Sequence, residues 1–403
     1  MRSNRFALAT AVWAIFTATL LMAVPCASAG ELVVHSFSGV GVDGAYPQGT
    51  LVADAAGNLY GMTVFGPSPN GGASGCGVVF ELSVTGGVWA ENILHTFLGG
   101  ADGCNPEYES LTFDAAENLY GTTVEGGAYK YGTAFKLQRA AGWKETILHS
   151  FGNGSDGSNP HSTLTFDAAG NLYGTTGDQS GTFTGHVFEL RAGAWAENIL
   201  SSSCYCGLSG GVVFDKAGNL YTTSATVDSI LKLTPNGNGT WTSTFVYTFP
   251  ASGVDGDFPV GNLIVDAAGN LYGTTEYGGA FGWGAAFRLS PAGGVWTETV
   301  LYSFKGPVAG GDGAYPFGGL IFDAYGNLYG TTFEGGTNCS CGTVFELSPA
   351  APQWKETVLY NFGGFPGDVT EPFGGLIFVG GNIYGTGYEG GTFGWGGVFE
   401  IVR

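Results

Sequence analysis

Four segments carry a glutamate shortly before a Gly-Gly pair, at Glu125, Glu276, Glu334 and Glu389. Three of them run on into two aromatic residues, Tyr129 and Tyr131, Phe281 and Trp283, Phe393 and Trp395. Rings beside carboxylates suit a sugar, whose C–H face packs on the ring while its hydroxyls donate to the acid. The same residues also suit a plainer role, with the rings packed between structural units and each glutamate binding loop backbone. The sequence leaves both readings open.

Other chemistry is harder to assemble, and no catalytic residue is assigned. His35, His95 and His149 fall at one repeated position, which Tyr247, Tyr302 and Tyr360 occupy elsewhere. Exchange with tyrosine marks a packing site with a polar tip. His161 and His186 lie outside that pattern, but neither has a serine elbow or metal-ligand spacing beside it. An Asp-Gly pair followed by Pro recurs, as at Asp43-Gly44 with Pro47 and Asp312-Gly313 with Pro316. Calcium needs six to eight converging oxygens, so these pairs read as turns, and neither metal nor cofactor is expected. The repeated tryptophans Trp89, Trp143, Trp195, Trp241, Trp296 and Trp354 read as framework.

What must position these groups is a repeat. Asp54-Ala-Ala-Gly-Asn-Leu-Tyr60-Gly returns at 114–121, 167–174, 266–273 and 323–330. Weaker copies run over 215–221 and 379–385, so the motif tyrosine recurs seven times, roughly every 50–60 residues. Each unit holds four strand-like runs, here called a to d. In the sixth they are 320–322, 327–332, 343–347 and 354–362. They are rich in β-branched and aromatic residues and are separated by Gly, Pro, Asn and Asp. The Asp-x-x-Gly-Asn link is a tight a–b turn whose Gly takes positive φ; Glu117 replaces that Gly once, and Gly380-Gly381 makes a shorter turn in the last unit.

Seven such units predict an all-β, seven-bladed β-propeller of four-stranded antiparallel blades. The last unit, 373–403, has strands a to c and no d. Residues 31–37 match the missing strand, as a comparison of Glu31…His35-Ser-Phe37 with Glu145…His149-Ser-Phe151 shows. The N-terminal strand is therefore expected to close the last blade. The b–c loops and d–a linkers then share one face.

These motifs resemble the GloVer tandem-repeat proteins of bacteria, called "choice-of-anchor", over essentially all of 31–403. More loosely, they are similar to NHL-type propeller repeats. The resemblance implies an exported protein and brings no established activity. Export agrees with residues 1–29, where Arg2 and Arg5, an apolar run and Ala27-Ser28-Ala29 read as a signal peptide, leaving 30–403 as the propeller, secreted to the periplasm or beyond. No membrane span is expected after cleavage.

Six cysteines remain in a compartment that permits disulfides. Cys76 with Cys104, Cys204 with Cys206 and Cys339 with Cys341 are candidate pairs; pooling the last four as a zinc site would need distant loops to meet. The formal net charge of −20 disfavours nucleic acid and anionic membrane. The sequence thus points to a monomeric, non-catalytic binding module for a glycan or other envelope component. The alternatives are a polysaccharide lyase or hydrolase using carboxylates, and a protein-interaction scaffold.

Overall fold

The computed structural model describes residues 30–403, except 42, 68–72, 109, 155, 178–184, 202–206, 308–310 and 351–353. The expected signal peptide, and Cys204 with Cys206, lie outside the described residues. The chain is a seven-bladed β-propeller, each blade an antiparallel sheet in the order a-b-c-d. Blade 1 is Val52–Ala53, Leu59–Thr63, Val78–Thr85 and Val88–Thr96. Blade 6 is Ile321–Phe322, Leu328–Thr332, Thr343–Ser348 and Lys355–Asn361. Blade 7 takes strand d from Gly30–Ser36, which pairs with Gly397–Val402 from Gly30↔Val402 to Ser36↔Gly397.

The repeated motif explains itself in atoms. Asp54 Oδ1 accepts from the backbone N–H of Ala56 and Asn58, and its Oδ2 accepts from the Asn58 amide and the Tyr60 hydroxyl. The same four bonds recur at Asp114, Asp167, Asp215, Asp266 and Asp323. Blade 7 lacks the Asp, and there Glu400 accepts from Asn382 and Tyr384 instead. Glu117 keeps the left-handed turn at φ 57, and Arg139 binds its carboxylate.

The glycine after each motif tyrosine is demanded by a ring. Gly61, Gly121, Gly174, Gly273, Gly330 and Gly385 stand opposite a strand-c phenylalanine, from Gly61↔Phe80 to Gly385↔Phe399. A Cβ at these glycines would sit 2.5–2.8 Å from the ring tip. Blade 4 breaks the pattern on both sides at once, with Thr222 opposite Leu231. The strand-c rings also meet a phenylalanine that closes strand d of the preceding blade, such as Phe37–Phe80 and Phe362–Phe399, with centroids 5.1 and 4.9 Å apart. The motif tyrosines face the next blade, where Tyr60 meets Phe113 and Trp143 edge-on or tilted. Trp89, Trp195, Trp241 and Trp296 make the same kind of contact.

Strand d holds a feature the repeat did not announce. In all seven blades the c–d register shifts once, for example between Ala134 and Phe135 opposite His149 and Ile147. In a regular strand, residues 145, 147 and 149 would share one face. The bulge turns the end of the strand over, so Glu145 faces the preceding blade and His149 the following one.

Replacing Gly273 by Ala should overpack Phe287 and lower the unfolding free energy by about 1–3 kcal/mol. Leu231→Phe should be similarly costly alone and cheaper combined with Thr222→Gly. Urea midpoints of the single and double variants check both expectations.

Candidate functional site

Each d–a linker delivers a short segment to the ring axis. Three positions before the first apolar residue of strand a, the blades carry Gln48, Tyr108, His161, Ser209, Val260, Phe317 and Phe373. All seven line one cavity of about 330 Å³. A cavity touching every blade lies on the common axis, on the face of the b–c loops and d–a linkers. Backbone comes close here: the strand-b threonines Thr386, Thr331 and Thr274 donate to the carbonyls of Gly49, Gly374 and Gly318 in the next blade. Around the same belt, Thr50 N–H donates to Ser110, Gly375 N–H to Thr50 and Gly211 N–H to Asn262.

The linkers are held by an unusual backbone step. The residue before the linker proline, at Tyr46, Asn105, Asn159, Phe258, Tyr315 and Glu371, has φ between 50 and 60. In that conformation Tyr46 N–H reaches the Trp395 carbonyl of blade 7, while its own carbonyl accepts from Val64. Asn105 and Glu371 repeat both bonds with Cys76 and Val124, and with Cys341 and Tyr388. The strain is thus tied to a bond across six of the seven seams between blades.

The cavity is two-sided. Phe317 and Phe373 stack with centroids 4.6 Å apart and planes 11° from parallel. Tyr108 lies 5.0 Å from Phe373 and 6.2 Å from His161. It reaches that far because its linker has one residue more between Pro106 and Leu111 than the others. Gln48 sits between Phe373 and Tyr108 in blade order and accepts from the Tyr108 N–H, while the remaining wall offers His161, Ser209 and Asn262. Burial pushes the His161 imidazole down to about 4, so it is neutral near pH 7. Glu276, buried on the same wall, is pushed above the usual carboxylate range by burial. Further out, burial and then Glu125 raise Glu107, and burial, Glu389 and Glu334 raise Glu371. The mouth is therefore acidic.

The loop residues singled out from the sequence are spread around this mouth. Glu125 and Glu334 form backbone bridges with Cys104 and Ala314. Glu276 is offset by one from them. Thr275 Oγ1 donates to the Tyr277 carbonyl, as Thr123 and Thr332 do to Glu125 and Glu334, so Tyr277 is the true counterpart and Glu276 turns to the cavity. Tyr131, Trp283 and Trp395 share one position, whose carbonyl accepts from Asn159, Tyr315 and Tyr46 of the next blade. Trp283 and Trp395 pack edge-on to Tyr315 and Tyr46 at separate seams. Tyr129, Phe281 and Phe393 are exposed on different blades. Cys76 is bonded to Cys104 and Cys339 to Cys341. No repeated residue type marks the axial ring in the sequence; its one signal is His161, a histidine outside the repeat.

A second set of polar groups lies in the seams. A strand-d His or Tyr, a d–a Asp and the strand-d Glu of the next blade converge at six of the seven. Three are His35/Asp43/Glu91, His95/Asp102/Glu145 and His149/Asp156/Glu197. Three are Tyr247/Asp255/Glu298, Tyr302/Asp312/Glu356 and Tyr360/Asp368/Glu31. Between blades 3 and 4, Ser201 and Ser243 replace the His or Tyr and the Glu together. In the tyrosine seams, burial and then the neighbouring aspartate push Glu298 to about 8 and Glu356 to about 7.

A seven-bladed fold with an axial pocket places the molecule among the β-propeller proteins. The chain belongs to the Gloeobacter/Verrucomicrobia repeat family, whose model matches residues 64–229 and 207–399. No curated protein matches it. Its fold is similar to that of a streptogramin B lyase, at 14% identity over 92% of this chain and 96% of that one, TM-score 0.59. It is also similar to a catalytically inactive virginiamycin B lyase from Staphylococcus aureus with quinupristin, at 14% identity over 93% and 98%, TM-score 0.60. A putative 6-phosphogluconolactonase from Bacteroides fragilis matches at 16% identity over 85% and 86%, TM-score 0.50. Identities this low establish a shared fold alone. No helix among the described residues is long and apolar enough to cross a membrane.

The tyrosine seams generate a pH dependence. A carboxyl whose folded pKa is raised lends stability that is complete below its unfolded value near 4.5 and is lost as pH rises through the folded value. Glu298→Gln and Glu356→Gln should therefore raise the melting temperature at pH 9 and leave it nearly unchanged at pH 5. Thermal scans at the two pH values check this.

Proposed function

We propose that the protein is an exported, non-catalytic binding module whose ligand sits in the axial cavity, with the b–c loops as its rim. The observation that carries this is the break in symmetry. Seven equivalent positions that could have repeated hold Phe317, Phe373 and Tyr108 on one side, with Gln48 between the last two in blade order, and the neutral hydrogen-bonding groups of His161 and Ser209 on the other. A ring with an apolar face and several hydroxyls, such as one sugar unit of an envelope glycan, matches both walls. The Cys76–Cys104 bond supports an oxidising compartment. Titration calorimetry against glycans selected on an array should show binding, weakened about ten-fold or more, ~1.4 kcal/mol, by Phe373→Ala or Tyr108→Ala. Unchanged affinity in both would overturn the axial assignment. Loss in Trp283→Ala/Trp395→Ala instead would place the ligand on the loops.

A second reading draws on neutral His161 and Glu276 sharing that cavity. The neutral imidazole can accept a proton, and burial favours the protonated form of the glutamate, the pair of roles an elimination or hydrolysis uses. The fold shared with the lyases puts eliminations first in a substrate screen. Any turnover found should fall at least ~100-fold in His161→Ala at unchanged melting temperature.

A further inference from the structure

The three histidine seams differ from the three tyrosine seams in how their polar atoms meet. In the tyrosine seams the hydroxyl donates to the aspartate directly, at 2.9 Å for Tyr360 and Asp368, closer still for Tyr302 and Asp312, and at 3.4 Å for Tyr247 and Asp255. In the histidine seams Nε2 stands 3.7 and 3.5 Å from Asp43 and Glu91, 3.5 and 3.6 Å from Asp102 and Glu145, and 3.2 and 3.8 Å from Asp156 and Glu197. Five of these six separations lie beyond the roughly 2.7–3.2 Å of an ordinary N–H···O bond. Nε2 of His35 and His95 is buried without a hydrogen-bond partner; one oxygen of the strand-d glutamate is left so in both kinds of seam, at Glu91, Glu145 and Glu197 as at Glu298 and Glu356, so the orphaned imidazole nitrogen is what sets the histidine seams apart. The Glu197 side chain is only 9% exposed.

Such spacing is what a shared ion would leave. Ligand atoms about 2.1 Å from a tetrahedral zinc stand about 3.4 Å from one another. In each seam the three ligand atoms lie within 4.8 Å of one another. One imidazole nitrogen and two carboxylates form a hard-to-borderline donor set, and their two negative charges balance a divalent cation. The histidines keep 17–21% of their side-chain surface exposed, which leaves room for a water as fourth ligand.

We propose that the seams between blades 7 and 1, 1 and 2, and 2 and 3 each bind one Zn²⁺ through His35/Asp43/Glu91, His95/Asp102/Glu145 and His149/Asp156/Glu197. The ions sit at the outer edge of the ring and tie consecutive blades together. The site is separate from the axial cavity and does not rest on the reading given for it.

The chain supplies its own control, because three seams already fold with tyrosine at the histidine position. His35→Tyr, His95→Tyr and His149→Tyr therefore remove a ligand while keeping a side chain the fold accepts. The full chain, stripped with chelator and then equilibrated with zinc alone, is measured for bound metal by mass spectrometry and for melting temperature. The bound zinc should fall by one ion with each substitution, and by three in the triple variant. Zinc should raise the melting temperature of the wild type by several degrees and that of the triple variant by far less. Equal zinc content in the wild type and the triple variant, or no zinc retained by the wild type, would overturn the proposal. A circular dichroism spectrum of the triple variant matching the wild type certifies that the comparison is between folded chains.

Discussion

The contact on which the ring depends is a phenylalanine laid over bare backbone. Strand c offers the ring, strand b offers a glycine beneath it, and the preceding blade closes the contact with a second ring from the end of strand d. Blades are thin enough to pack face to face only because no side chain stands under Phe287 and its five counterparts. Thr222 and Leu231 show that the constraint is one of volume, since the side chain gained on one strand is matched by a smaller one on the other.

The bulge in strand d gives each blade a direction. It separates the glutamate from the histidine or tyrosine and presents them to opposite neighbours, so one strand serves two seams. Where one partner is missing the other is missing too, as Ser201 and Ser243 show between blades 3 and 4. The seam is therefore a unit made from two blades. The strained residue before the linker proline acts in the same sense, binding one blade through its N–H and the other through its carbonyl.

Much of the architecture could be read from the chain. Repetition located the strands to within a residue or two, and the match of 31–37 to 145–151 showed how the last blade closes. The axial ring is hidden for a reason that follows from the repetition itself. Attention to what recurs selects framework positions, and Gln48, Tyr108, His161 and Phe373 share a place without sharing a type. Alignment on Gly-Gly misplaces Glu276 by one, because the Thr-Thr pair of strand b sets the register. The seam trios were out of reach because their members lie in two blades, and because only the bulge tells which face each occupies.

The pairing of Gly30–Ser36 with Gly397–Val402 has a consequence for association between molecules. Blades meet through two unlike faces, and unlike faces either close on themselves or propagate. Peeling off the first strand would bare the backbone donors and acceptors of 397–402 while freeing a segment of matching register. Two chains in that state are mutually complementary, so the covalent link between the first strand and blade 1 is what keeps a self-templating edge intramolecular.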